Sequence, residues 1–236
     1  MYHVSNRTFL IVIFIMLFNF LCWNVRGIMS SAYSLSDTLD NQRIDLALIT
    51  EHKLLPRSQH FLSSINQNFY AYNTCDSSTD NFGNLRCGKA GTAILIRKTL
   101  QKYVSRVNIS NERIIGIELR SGNQLPLYVF CVYMPADNDV ILYNETLCDI
   151  QSVFSHYCKM GTVIFAGDFN AQLDTVHLTH VRTGVCQATP LRSSLYSFTT
   201  VARRTCKVFS NIRFIFSIAL YGKYIRKLYK IDTIFL

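Results

Sequence analysis

The segment Ala166-Gly167-Asp168-Phe169-Asn170 puts a carboxylate and a carboxamide two residues apart, directly after the apolar run Thr162–Ala166. Glycine permits a tight exit from such a run. A carboxylate at that exit binds a hard cation or orients a water, and a carboxamide donates to a phosphoryl oxygen. Taken alone, Gly-Asp is also an ordinary turn, with Phe169 as a core residue. Three further polar residues stand in equivalent places. Asn24, Glu51 and Tyr133 each mark the C-terminal end of an apolar run. In α/β folds those ends gather binding and catalytic groups on one rim. A lone Glu after an apolar run is usually a solvated turn, but four polar groups in matching positions form a pattern.

The runs that must position them read as strands. They are Leu21–Val25, Asp45–Thr50, Gly91–Ile96, Ile114–Leu119, Pro126–Tyr133 and Thr162–Ala166. Ser34–Gln42 and Asp139–Cys158 carry helix-like spacing, and Thr74–Lys89 is polar enough to read as a loop. Strands interleaved with helices indicate an α/β architecture. No internal repeat or low-complexity tract is evident.

A chain of 236 residues, 49% hydrophobic and 17% charged, suits one domain with a real core and is not compositionally disordered. The net charge of +9 is unevenly placed. Acidic and basic residues roughly cancel up to Asp174, and from Thr175 to Ile231 there is no acidic residue. Arg203 and Arg204 lie in that basic stretch, which suits a polyanion such as a nucleic-acid backbone, or else a solvated surface. None of the eight cysteines forms a CxxC pair, so they read as free thiols and not as a zinc site. Phe9–Phe18 is an apolar run after Arg7. It is short for a membrane span, and a signal, an anchor and an extension of the first strand all remain open. The location taken here is intracellular, nuclear or cytoplasmic, with a membrane or secretory destination as the alternative.

Together the motifs resemble the endonuclease/exonuclease/phosphatase superfamily, which includes deoxyribonuclease I and the abasic-site endonucleases. Trp23-Asn24-Val25-Arg26-Gly27 is similar to its opening strand and Leu48-Ile49-Thr50-Glu51 to its second motif. Gly88–Ile96 and Asn111–Leu119 resemble the next strands, and Val132-Tyr133-Met134-Pro135 resembles its Tyr-x-Pro. Ala166–Asn170 resembles its Gly-Asp-x-Asn signature. The style is closest to the endonuclease domains of non-LTR retrotransposons. The match is good from about Phe20 to Asp174 and degenerate over the basic part 175–236, with residues 1–17 as a hydrophobic extension ahead of a domain over 18–236.

The resemblance implies a four-layer α/β sandwich, two mixed β-sheets face to face with helices outside, its last strand or strands missing or degenerate. It implies Mg²⁺, with Mn²⁺ as the alternative ion, held by Glu51 with Asn24 near it. Asp168 would position or deprotonate the water, and Asn170 and Tyr133 would bind phosphoryl oxygens. Asp232 resembles the aspartate that orients the family's catalytic histidine. Arg26, Arg203 and Arg204 would hold DNA, the expected partner; no obligate protein partner is implied.

The family closes with Ser-Asp-His, and no Asp-His pair occurs in this chain. His52, His156, His177 and His180 are poor substitutes. The reading is therefore a DNA endonuclease, weak or inactive without that motif, in a C-terminally truncated domain. The Arg213–Leu236 segment is apolar enough to pack where a lost strand would lie. The alternatives are a phosphomonoesterase of the same superfamily and a non-catalytic nucleic-acid-binding remnant.

Overall fold

The computed structural model describes residues 18–75, 88–135 and 139–170, with the backbone of two short strands at 213–217 and 228–229. In chain order the strands are β1 (Phe20–Asn24), β2 (Leu46–Thr50), β3 (Phe69–Thr74), β4 (Thr92–Arg97) and β5 (Val104–Val107). They continue with β6 (Ile114–Leu119), β7 (Leu127–Tyr133), β8 (Thr162–Asp168), β9 (Arg213–Ser217) and β10 (Leu228–Tyr229). The α-helices are α1 (Ile28–Asn41), the single turn α2 (Phe61–Ser64) and α3 (Val140–Tyr157).

The strands form two mixed sheets, ordered β10-β1-β2-β4-β3 and β5-β6-β7-β8-β9. Alternation along each strand sorts the core into three slabs. Leu46 and Leu48 of β2 face inward onto Ile115, Ile117, Val129, Cys131, Ile164 and Ala166 of the second sheet. Ala47 and Ile49 face outward, against Ile28, Leu35 and Leu39 of α1. Phe130, Val132, Val163 and Phe165 face outward from the second sheet onto Tyr143, Leu147, Ile150 and Phe154 of α3. The result is the four-layer sandwich expected. Burial on both faces explains why the central strands read as unbroken apolar runs. Each large side chain so buried contributes about 1.5–3 kcal/mol.

The Asp139 carboxylate caps α3 by accepting from the Leu142 N–H at 3.1 Å. Helix α1 has no side-chain cap. Its start is set by tertiary docking, because the Gly27 and Ile28 N–H groups donate to the Glu51 and His52 carbonyls at 2.8 and 3.0 Å. It begins six residues before the Ser34 expected from periodicity. Exposed Met29 and Tyr33 break the apolar stripe that Ile28 opens.

Two strands were missed in the sequence. Both β3 and β5 are sheet edges with polar residues among their members (Asn73, Thr74, Ser105, Arg106), so neither carries the continuous apolar signal of a central strand. Segment 213–236 supplies β9, parallel to β8, and β10, antiparallel to β1. These pairings lie on the sheet edges opposite β3 and β5.

Strand β8 reaches Asp168, two residues past the expected end, because Gly167 stays paired with Val132 of β7. Gly167 adopts φ 146°, and a Cβ there would meet the backbone oxygen of Val132. Neither strand can yield without breaking the ladder. Gly167→Ala is expected to cost about 2 kcal/mol or more. Urea denaturation measures this, and an unchanged midpoint would contradict the packing described.

Candidate active site

The same alternation that sorts the core also builds the site. Beyond inward-facing Cys22, Leu48, Cys131 and Ala166, the next inward positions are Asn24, Thr50, Tyr133 and Asp168, at the C-terminal ends of four strands. Register brings them level: Asn24 pairs with Thr50, Thr50 with Thr92, and Tyr133 with Asp168. The two parallel pairs β1/β2 and β7/β8 therefore open at one mouth between the sheets.

There the side chains meet. The Asn24 Nδ2 donates to Glu51 Oε1 at 2.8 Å and to Asp168 Oδ2 at 2.5 Å. One amide thus bridges carboxylates that belong to different sheets. Its other end is fixed, since the Arg26 N–H donates to Asn24 Oδ1 at 3.1 Å. The amide orientation is set by the backbone, and Asn24 turns its NH₂ toward the carboxylates. Asp168 is buried. Its Oδ1 accepts from the Asn170 N–H at 3.0 Å, and Asn170 Nδ2 donates to the Met134 carbonyl at 2.6 Å, which ties the β8 exit to the β7 exit.

Arg26, Glu51 and Asn170 all have positive φ, at 50°, 55° and 45°. Such a conformation costs a non-glycine residue about 1–3 kcal/mol and persists only where neighbours enforce it. Here they do. The Glu51 carbonyl accepts from Gly27, and Asp168 holds the Asn170 N–H. Three of the six positive-φ non-glycine residues among the described residues thus lie at the mouth.

Tyr133 completes the cluster. Burial first, then the charge of Glu51 and a hydrogen bond to it, then the charge of Asp168 push its phenol up to about 12. Arg113 acts in the opposite sense, with its guanidinium carbon 5.4 Å from the ring centroid. Tyr133 is a neutral donor at any ordinary pH. Lys53 Nζ lies 3.4 Å from Glu51 Oε2 at the rim.

His52, next to Glu51, faces away from the chemistry. The Leu54 N–H donates to its Nδ1 at 3.0 Å, so Nε2 carries the proton and donates to the Thr74 carbonyl at 2.8 Å. The ring packs on Gly91, where a Cβ would collide with it. His52 is a structural strut. His156 is exposed on α3. Arg26 is exposed beside the mouth. His177, His180, Arg203, Arg204 and Asp232 lie outside the described residues. Arg113 also lines the mouth, and in the sequence its only signal is a basic residue opening the run Ile114–Leu119.

The donor set fits a hard cation. Glu51 and Asp168 offer carboxylate oxygens to one small space, and their combined field is strong enough to act on the Tyr133 phenol. No group of three or more His, Cys, Asp or Glu suited to a metal occurs among the described residues. The coordination on offer is thus partial, which suits an ion that keeps several waters and shares substrate oxygens.

A profile of the Endonuclease/Exonuclease/phosphatase family matches residues 21–206. Among solved structures, the AP endonuclease LMAP from Leishmania major superposes with a TM-score of 0.62 at 13% identity, over 78% of this chain and 66% of that one. An AP endonuclease from Archaeoglobus fulgidus gives 0.53 at 15% identity, over 78% and 70%. The Xenopus laevis APE2 catalytic domain gives 0.53 at 19% identity, over 76% and 67%. A Neisseria 3' phosphatase solved with a product DNA hairpin gives 0.50 at 16% identity, over 66% and 60%. The chain thus spans a little under two thirds of the Leishmania chain and three fifths of the Neisseria one. No curated protein matches.

Burial holds the His52 imidazolium pKa below its ordinary 6.5, against hydrogen bonds that raise it. The folded chain then binds fewer protons than the unfolded one below pH 6.5. Its contribution to stability is complete above pH 6.5 and is lost as pH falls toward the folded value. Imidazole NMR checks this. His52 is expected to stay neutral, with its proton on Nε2, as pH falls below 6.5. A His52 midpoint at or above 6.5 would contradict it.

Proposed function

The chain belongs to the endonuclease/exonuclease/phosphatase family, and on that premise we propose that it is a divalent-metal-dependent phosphodiester hydrolase of DNA, of the non-LTR retrotransposon type. The observation that carries this reading is the convergence of Glu51 and Asp168, from separate sheets, on the single Asn24 amide. Two carboxylates in one polar mouth beside a neutral phenol donor suit attack of water on a phosphate. Cleaving a phosphodiester needs a placed water and neutralisation of the charge that builds on the phosphate oxygens.

Each residue takes a part in this. Glu51, with Asn24 holding its carboxylate in place, binds Mg²⁺, with Mn²⁺ as the alternative. When bound, the ion supplies Lewis-acid polarisation of the phosphoryl oxygen. Asp168 orients the water and accepts its proton. The strand ladder, the buried wall and the Asn170 N–H aim its two oxygens, so little reorganisation is needed. Tyr133 donates its hydroxyl hydrogen to a phosphate oxygen, and Asn170 stands beside it at the β8 exit. Arg26 at the rim and the basic stretch containing Arg203 and Arg204 hold the backbone of the strand.

The motif Ser-Asp-His, present in the family pattern the chain resembles, has no counterpart in these 236 residues. Asp232, which resembles the aspartate that orients that histidine, lies outside the described residues. Proton-transfer help of that kind is worth about 10²–10⁴-fold, so turnover by this chain alone is slow.

A nicking assay on supercoiled plasmid tests the proposal. Slow nicking with Mg²⁺ or Mn²⁺ is expected, abolished by EDTA. Asp168→Ala and Glu51→Gln should each lower it by about 10²-fold or more. Turnover equal to a family enzyme run alongside would refute the crippled site. Preference for a phosphomonoester would refute the DNA assignment, and nicking untouched by Asp168→Ala would refute the mechanism.

A further inference from the structure

We propose that Arg113 is the positioning residue for Tyr133: its guanidinium lies against the phenol ring and keeps the hydroxyl presented at the site mouth for a phosphate oxygen. This rests on the reading above only in taking a phosphate as the ligand.

Arg113 stands immediately before β6 and directly across from the end of β7. The Tyr133 N–H donates to the Arg113 carbonyl at 2.9 Å. By alternation from inward-facing Ile115 and Cys131, both side chains point into the space between the sheets. There the guanidinium carbon lies 5.4 Å from the Tyr133 ring centroid, within the range of a cation–π contact.

The turn that carries Arg113 is pinned from two sides. Its N–H donates to Asn111 Oδ1 at 2.7 Å, and Asn111 Nδ2 donates to Asp149 Oδ2 of α3 at 2.6 Å. From the other sheet, the Thr74 hydroxyl donates to the Glu112 carbonyl at 2.7 Å. A turn held by both α3 and β3 fixes where the long Arg113 side chain starts.

Arg113 forms no ion pair among the described residues, although Glu51 and Asp168 both act on the same phenol. Its planar charge is applied to the ring face. That matters because the phenol otherwise answers to two carboxylates, and its hydrogen bond to Glu51 draws the hydroxyl toward one of them. A cation on the ring restricts rotation and offsets the negative field that a phosphate must enter.

The test measures binding of inorganic phosphate to the full chain in Mg²⁺ by isothermal titration. Arg113→Met keeps the side-chain length and removes the charge, and it is expected to weaken affinity about threefold to fivefold. Arg113→Lys keeps a cation over the ring and should recover most of the loss. In a Tyr133→Phe background Arg113→Met should change affinity by less than about 1.5-fold, because the hydroxyl it positions is gone. Arg113→Gln serves as a second neutral variant if Arg113→Met fails to fold.

Multiplicative losses in the double variant would mean direct phosphate contact and would overturn the positioning role. Equal affinity in Arg113→Met and wild type, or no phosphate binding by wild type, would also overturn it. Phosphate binding with the expected pattern in a chain that nicks no DNA would keep this inference and sink the hydrolase reading.

Discussion

Two carboxylates from different sheets share one amide, and the rest of the molecule is arranged around that contact. Like charges in one site repel, and hydrogen bonds donated to both offset that repulsion. The Asn24 NH₂ donates to both, and the oxygens of Glu51 and Asp168 are no farther apart than its two hydrogen bonds allow. For this to hold, β1 and β8 must end at the same height in different sheets. The apolar slab of Leu46, Leu48, Val129, Cys131 and Ile164 sets that height. The Cys131 Sγ also donates to the Ile49 carbonyl at 3.6 Å, linking the sheets just behind the site. The core therefore does more than hold the fold together, because it fixes how the two sheets are superposed at the mouth.

The site is built from backbone as much as from side chains. Arg26 holds the Asn24 oxygen through its N–H, and Asn170 holds Asp168 through its own. Neither contact depends on a long side chain finding its place, so the geometry is set once the strands pair. The cost lies in the positive φ of Arg26, Glu51 and Asn170. Regular strand pairing below and docking of α1 against the Glu51 and His52 carbonyls over-determine those residues.

Much of this was legible in the sequence. Ile114–Leu119 was read to the residue, and the other central strands to within two, because strands buried on both faces leave unbroken apolar runs. Asn24, Glu51, Tyr133 and Asp168 were legible as strand-end polar residues, and the structure brings all four together. Edge strands β3 and β5 were not legible, since their outer positions are polar. The start of α1 was not legible either, because docking fixes it and no cap signals it. Arg113 escaped notice because its role depends on the register between β6 and β7, which pattern along a single strand does not carry. His52 looked like a neighbour of the chemistry, and only its two hydrogen bonds show that it braces the loop behind Glu51.

Glu51, its carboxylate held by Asn24, is the proposed seat of a hard divalent cation, and Asp168 on the same Asn24 amide places the water beside it. Electron paramagnetic resonance of Mn²⁺ titrated into the full chain tests this assignment most directly. Mn²⁺ bound at this site is expected to be lost in Glu51→Gln and weakened in Asp168→Asn, with the fold intact in both. Mn²⁺ retained undiminished in both variants would contradict it.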